Sequence, residues 1–137
     1  MISHRQWRPR RPLGSSGNAG IEFAIVAPVL ILILLAIIDF GRLLLVRSSM
    51  HYAVEEAGRY AMVYSTATKS AIETYAKGRV IGVDPTTLAI TATIDSPSSG
   101  YVTITSDYTF NFIFRSMLPN GIGSVPMHAQ AVVPRTS

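Results

Sequence analysis

The chain has 137 residues with a formal net charge of +4, and 48% of its residues are hydrophobic. It contains no cysteine, which excludes a disulfide framework and thiol chemistry. Much of the apolar content lies in one run near the N-terminus. The roughly 90 residues after that run are enough for one small domain but not for a large enzyme core. This composition predicts a bitopic membrane protein.

The leader before the apolar run is basic and contains no acid, whereas residues 18–137 carry eight basic and eight acidic side chains. The leader arginines are Arg5, Arg8, Arg10 and Arg11. A basic arm suits nucleic acid or anionic lipid, but a cluster directly before a spanning helix is where the positive-inside rule acts. We therefore predict a cytoplasmic N-terminus, an external C-terminal domain and no nucleic-acid partner. The glycines and serines of residues 13–20 predict an unstructured, protease-accessible stretch.

The apolar run predicts a membrane-spanning helix. Residues 23–38 carry no charge, and after a short polar interruption the run resumes to residue 46. As a helix, residues 23–46 reach about 36 Å at roughly 1.5 Å per residue, which crosses a hydrocarbon core of about 30 Å with some tilt. The run does not end in the small residues of a secretory cleavage site, so we expect the helix to stay on the mature protein as residues 18–47.

Four residues interrupt or polarise this helix. Pro28 lacks an amide hydrogen, so we expect a bend or a loosened turn there. Glu22 is a lone carboxylate at the helix start, and it lies either at headgroup level, where the helix dipole favours an acid, or in a functional site. Asp39 and Arg42 are three residues apart on one helix face, as a local ion pair at the outer interface or as a contact to a partner helix.

Beyond the span the helical pattern continues. Apolar residues recur at spacings of 4, 3, 4 and 3 on one stripe, and the nearby charged residues lie off it. The stripe is Met50, Val54, Ala57, Ala61 and Tyr64, and the charged residues are Glu55, Glu56 and Arg59. We therefore expect an amphipathic continuation of the helix to about Tyr64. A second helix is predicted over residues 69–80, because the turn residues at 82–85 end it.

The last third of the chain alternates apolar and polar residues with a period of two. Residues 88–95 and 101–110 form such runs, and a Ser-Pro-Ser-Ser-Gly turn at 96–100 separates them, which predicts an antiparallel hairpin. A turn at 119–121 and a run at 125–133 supply a third strand. The sheet gives the amphipathic helix a surface to pack on, so the predicted class is α+β.

No catalytic or metal-binding constellation is recognisable in the sequence. His4, His51 and His128 lie in three separate regions, and no phosphate-binding glycine loop precedes a helix. We therefore predict a protein that is not an enzyme and that holds no metal and no cofactor.

The stretch at 17–23, Gly-Asn-Ala-Gly-Ile-Glu-Phe, resembles the processing site of type IV prepilins. In those proteins a membrane peptidase cuts after glycine, and glutamate becomes the fifth mature residue. The resemblance implies cleavage between Gly17 and Asn18, and pairing of Glu22 with the new α-amine of a neighbouring subunit, which sets the register between subunits. Phe23, the aromatic residue after the glutamate, looks like the variant of the tight-adherence (Tad, Flp) pilus branch.

Two further stretches, residues 22–30 and 38–42, look like the TadE-like family of pseudopilins, and the Ala-, Glu- and Arg-rich residues 53–61 are similar to a helix of that family. The resemblance implies a pilin-like fold. Because major Flp pilins are much shorter after the helix, it also implies a minor pilin or pseudopilin that acts in assembly of a Tad/Flp-type pilus or a related secretion system.

The same resemblance implies location in a bacterial inner membrane, or in the pilus itself, with residues 1–17 as a cleaved cytoplasmic leader and residues 48–137 as an extracytoplasmic domain. It implies as partners other pilins or pseudopilins, a prepilin peptidase, platform proteins of the assembly machinery and membrane lipid. The alternative is a membrane-anchored extracytoplasmic binding domain without a filament role, for which residues 17–23 are a chance match.

Overall fold

The computed structural model describes residues 16–95, 100–115 and 123–135, with side chains from Ala19 onward. Its elements are α1 (Ser16–Val63), α2 (Lys69–Lys77), β1 (Ala89–Ile94), β2 (Tyr101–Asn111) and β3 (Ser124–Pro134). The strands form an antiparallel sheet in the order β1-β2-β3. The predicted α+β class is confirmed. The two predicted turns fall largely outside the described residues, at 96–99 and 119–121.

The start of α1 corrects one expectation. Residues 16–20 are helical, although their glycine and serine content predicted an unstructured stretch. Because helix formation is cooperative, a long helix extends through a few poor helix formers at its end at modest cost. Residues 13–15 lie outside the described part of the chain.

The chain divides into two compact units, Met1–Leu34 and Leu35–Ser137. The described residues of the first unit belong to α1, and their large apolar side chains are exposed, among them Ile21, Phe23 and Leu34. A helix that is apolar all round is typical of a membrane span. Among the described residues, α1 is long and apolar enough to cross a membrane, judged by length and composition. This helix suggests a single-pass membrane anchor.

The second unit has a core between the two helices and one face of the sheet. The helices contribute Val46, Met50, Val54, Ala57, Ala61, Ile72 and Ala76, and the sheet contributes Ile90, Ala92, Val102, Ile104, Phe110, Met127 and Ala129. The predicted stripe on α1 is therefore confirmed over its first four members. The predicted end of the helix near Tyr64 is confirmed, because α1 ends at Val63 and the Tyr64 amide still bonds to the Tyr60 carbonyl at 2.9 Å. The fifth member of the stripe, Tyr64, does not join the core, because its side chain is 55% exposed.

The second helix is shorter than predicted and joins α1 to β1. It ends at Lys77 because Gly78, a poor helix former, occupies the C-cap position. The Glu73 carboxylate accepts a hydrogen bond from the Ala92 amide at 3.0 Å, which satisfies a backbone group on the outer edge of β1. The Tyr75 ring stacks on Tyr60 with 4.4 Å between centroids. These contacts fix α2 against both α1 and the sheet.

Gly58 lies where α1 packs against β3. A Cβ atom added at Gly58 would lie 2.7 Å from Cγ1 of Val133, a stiff β-branched side chain. Overpacking of this kind costs about 1–3 kcal/mol, and alanine regains about 1 kcal/mol of helix propensity. We therefore expect Gly58→Ala to lower the free energy of unfolding by about 1 kcal/mol.

Gly41 provides the matched control, because it is also a glycine of α1 but nothing lies within 4 Å of an added Cβ atom. Gly41→Ala should leave the thermal midpoint of the full chain in detergent unchanged or raise it, while Gly58→Ala lowers it. Equal or higher stability of the Gly58→Ala variant would contradict the close packing of α1 on β3.

Candidate functional site

The proposed processing site lies at the start of α1. Gly17 and Asn18 are within the helical range Ser16–Val63. Glu22 and Phe23 follow within the next two turns and are both exposed. Glu22 takes part in neither of the ion pairs found among the described residues, which are Arg42–Asp39 and His128–Asp107. In the monomer its carboxylate is thus presented on the helix surface.

Pro28 lies inside α1 and does not end the helix. Its ring removes one amide donor, so the carbonyl of Ala24, four residues earlier, lacks its usual helical partner. In the described structure α1 continues through Pro28 without a break. The bend or loosened turn expected at Pro28 stays a prediction.

Asp39 is the buried carboxylate of the second unit. Its side chain is 0% exposed. One carboxylate oxygen, Oδ1, accepts a hydrogen bond from Nη1 of Arg42 at 2.8 Å, and the other, Oδ2, accepts one from the backbone amide of Ile113 at 2.6 Å. Burying a charge is costly unless it is paired and hydrogen-bonded, and Asp39 meets both conditions. The carboxylate thereby ties α1 to the segment that follows β2.

Arg42 completes the arrangement with an aromatic partner. Its guanidinium carbon lies 5.3 Å from the centroid of the Phe110 ring, within the range of a cation–π interaction. Phe110 is buried, and its ring meets Phe112 edge-on at 5.4 Å. The Arg42 side chain is still 46% exposed. We call Asp39, Arg42, Phe110 and Ile113 the Asp39 clamp.

Part of the Asp39 clamp was predictable from the sequence. The three-residue spacing of Asp39 and Arg42 predicted a local ion pair, and the structure contains it. The bond to Ile113, which lies 74 residues along the chain, and the complete burial of Asp39 had no local signal. The alternative contact of Asp39 and Arg42 with a partner helix stays a prediction. In the monomer both carboxylate oxygens already have partners, so the exposed part of Arg42 is the group that a neighbour can reach.

The histidines are not gathered into a site in the described part of the chain. His51 is exposed on α1, and His128 pairs with Asp107 at 2.7 Å between exposed side chains on neighbouring strands. His4 lies outside the described residues. Over the described ranges, three or more histidine, aspartate or glutamate residues never converge as metal ligands do.

The fold defines the structural class of the protein. It is an α+β chain whose N-terminal apolar helix suggests a membrane anchor. The family model described as TadE-like protein matches residues 17–59. The match begins at Gly17 and includes Glu22, Pro28, Asp39 and Arg42. The TadE-like resemblance is confirmed over this range, and a TadE-like domain suggests an association with Tad/Flp pilus systems. Comparisons with curated proteins and with solved structures gave no match.

Proposed function

We propose that this chain is a minor pilin or pseudopilin that acts in assembly of a Tad/Flp-type pilus or a related secretion system. The observation that carries the proposal is the TadE-like match over residues 17–59, which begins at the glycine of the processing motif. The apolar helix with exposed side chains and the small domain that follows it support the same role. The family is generally non-enzymatic, and an assembly role requires no catalytic residue.

Processing is the first step of the proposed function. A prepilin peptidase cuts after Gly17, removes the basic leader and leaves the α-amine of Asn18 as the new N-terminus. Glu22 is then the fifth residue of the mature chain. The positive-inside rule places the leader in the cytoplasm and the domain outside the inner membrane.

Glu22 then acts as a registration device between subunits. In a medium of low dielectric an unpaired carboxylate is costly, whereas one that meets an ammonium group is tolerated. The exposed position of Glu22 on α1 leaves it available to the α-amine of a neighbouring pilin or pseudopilin. Only one axial offset between two helices pairs both charges, so the pair selects that offset. Phe23 packs beside it in the same contact.

The proposed span, residues 18–47, includes a part that packs in the domain, because the second compact unit begins at Leu35. Residues 19–38 alone reach about 30 Å as a helix, which matches the hydrocarbon core. We infer that α1 leaves the hydrocarbon near Asp39 and that residues 39–47 cross the outer interface. Residues 48–137 then complete the extracytoplasmic domain.

Deletion of the chain in its native host tests the proposed function. We expect cells without it to lose surface pili or the related secretion, and the wild-type chain supplied in trans to restore them. Normal piliation and secretion in the deletion strain would instead favour the alternative, an anchored extracytoplasmic binding domain without a filament role.

A further inference from the structure

The segment after β2 is held beside α1 at a defined level. The Ile113 amide donates to the Asp39 carboxylate at 2.6 Å. The Arg115 amide bonds back to the Phe112 carbonyl at 3.2 Å, which closes a turn over residues 112–115. The Phe112 amide bonds to the Gly123 carbonyl at the same distance, which ties the start of this turn to the residue before β3. Residues 112–115 therefore lie at the level of Asp39, where the proposed anchor leaves the hydrocarbon.

The surface at this level is apolar. The Ile113 side chain is 55% exposed although its backbone is fixed, and Ile37, Ile38 and Phe40 of α1 are 63%, 53% and 61% exposed. Large apolar side chains that stay exposed around a fixed element mark contacts with a membrane or with another protein. The turn thus presents an apolar side chain where a lipid interface can take it up.

The charges at this level are cationic. Arg42 is half exposed, and Arg115 is oriented by a 3.0 Å hydrogen bond to Asn111. The only acid of residues 23–54 is Asp39, which is buried, and residues 108–137 contain no acid at all. Arginine binds phosphate oxygens through charge-assisted hydrogen bonds. The charge pattern therefore complements the phosphate headgroups of a lipid surface.

We propose that residues 112–115 form a second membrane contact, beside Asp39 of α1, at the outer interface of the bilayer. Ile113 enters the boundary between headgroups and acyl chains, and Arg42 and Arg115 bind lipid phosphates. The Asp39 clamp keeps this turn beside the helix, so the domain is held against the membrane at two points. This inference rests on the proposed membrane anchor.

The chain contains no cysteine, so a single introduced cysteine can carry an environment-sensitive fluorophore. We would label Ile113→Cys, Val132→Cys and Leu30→Cys in the full chain, reconstituted at low protein density in phosphatidylcholine–phosphatidylglycerol vesicles with brominated acyl chains. Val132 is the matched control, because it is also 55% exposed but precedes the residue that contacts Gly58. Gly58 lies about 28 Å along α1 from Asp39.

We expect bromine quenching at Ile113 and Leu30 to be at least twofold stronger than at Val132. Quenching at Leu30 with Ile113 no more quenched than Val132 would overturn the second contact and leave the anchor intact. Quenching at neither Leu30 nor Ile113 would overturn both the anchor and the second contact. Protection of Ile113 that arises only at high protein density would assign the turn to a neighbouring subunit and would also overturn the lipid contact.

Discussion

Replacing Asp39 by alanine should lower the free energy of unfolding by about 2–4 kcal/mol. The substitution leaves the Ile113 amide without its acceptor and removes the ionic partner of Arg42. An unsatisfied buried donor costs about 1–3 kcal/mol. Loss of one partner of a buried ion pair costs about 3–5 kcal/mol, and we reduce that figure because Arg42 is half exposed. The clamp is therefore the largest single polar contribution that we expect in the second unit.

Asp39→Asn separates the two parts of this effect. The amide oxygen can still accept the Ile113 hydrogen bond, but the charge opposite Arg42 is gone, so we expect a loss of about 1–2 kcal/mol. Asp107→Ala is the matched control, because Asp107 also pairs with a basic residue but its side chain is 61% exposed. Exposed pairs contribute about 0–1 kcal/mol.

Denaturant unfolding of the full chain in detergent, followed by near-ultraviolet circular dichroism of the tyrosines, measures all three variants. The expected order of stability is Asp107→Ala, then Asp39→Asn, then Asp39→Ala. If Asp39→Ala matched the Asp107→Ala control, the Asp39 clamp would have no role in holding the turn after β2 to α1.

Replacing Glu22 by valine should leave membrane insertion intact and reduce surface piliation by tenfold or more. Valine is apolar, so the helix enters the membrane at least as readily as before. What is lost is the carboxylate that, in the proposed function, meets the α-amine of a neighbour. Without that pair, several axial offsets between subunits have similar energies, and assembly loses its register.

Glu55→Val is the matched control for this experiment, because Glu55 is also an exposed carboxylate of α1 but lies beyond the proposed span. We expect normal piliation in that variant. The mass of each variant should be measured as well, because a failure of processing in Glu22→Val would reduce piliation for a different reason. Normal piliation in a processed Glu22→Val variant would count against the pairing of Glu22 with the amine.

The elements that follow from local pattern were predictable from the sequence. The stripe from Met50 to Ala61 gave the buried face of α1, and the period of two gave three strands whose bounds agree within one residue of the structure. The processing motif and the TadE-like resemblance also rest on contiguous residues, so both can be recognised in the sequence alone. The family match over residues 17–59 bears out the resemblance, while the roles of Gly17 and Glu22 remain proposals.

The features that could not be predicted depend on contacts between residues that are far apart in the sequence. Asp39 meets Ile113 only because the sheet folds back on α1, and no spacing within the helix reports that. Tyr64 continues the apolar spacing, and its amide bonds to the Tyr60 carbonyl at 2.9 Å, but its side chain is 55% exposed because the packing that covers the rest of the stripe does not extend to it. The helix α2 stops at Gly78, where the weak propensity of glycine outweighs the apolar residue that follows at Val80.

The proposed function depends above all on cleavage after Gly17, which the mass of the mature chain reveals. We would isolate the protein from membranes of its native host, with and without the prepilin peptidase, and measure both intact mass and N-terminal peptide. The only tryptophan of the chain, Trp7, lies in the leader, so tryptophan fluorescence is a second readout. We expect a chain that starts at Asn18 and lacks tryptophan only when the peptidase is present. An uncut chain in both strains would contradict it, because Glu22 would then have no α-amine to meet.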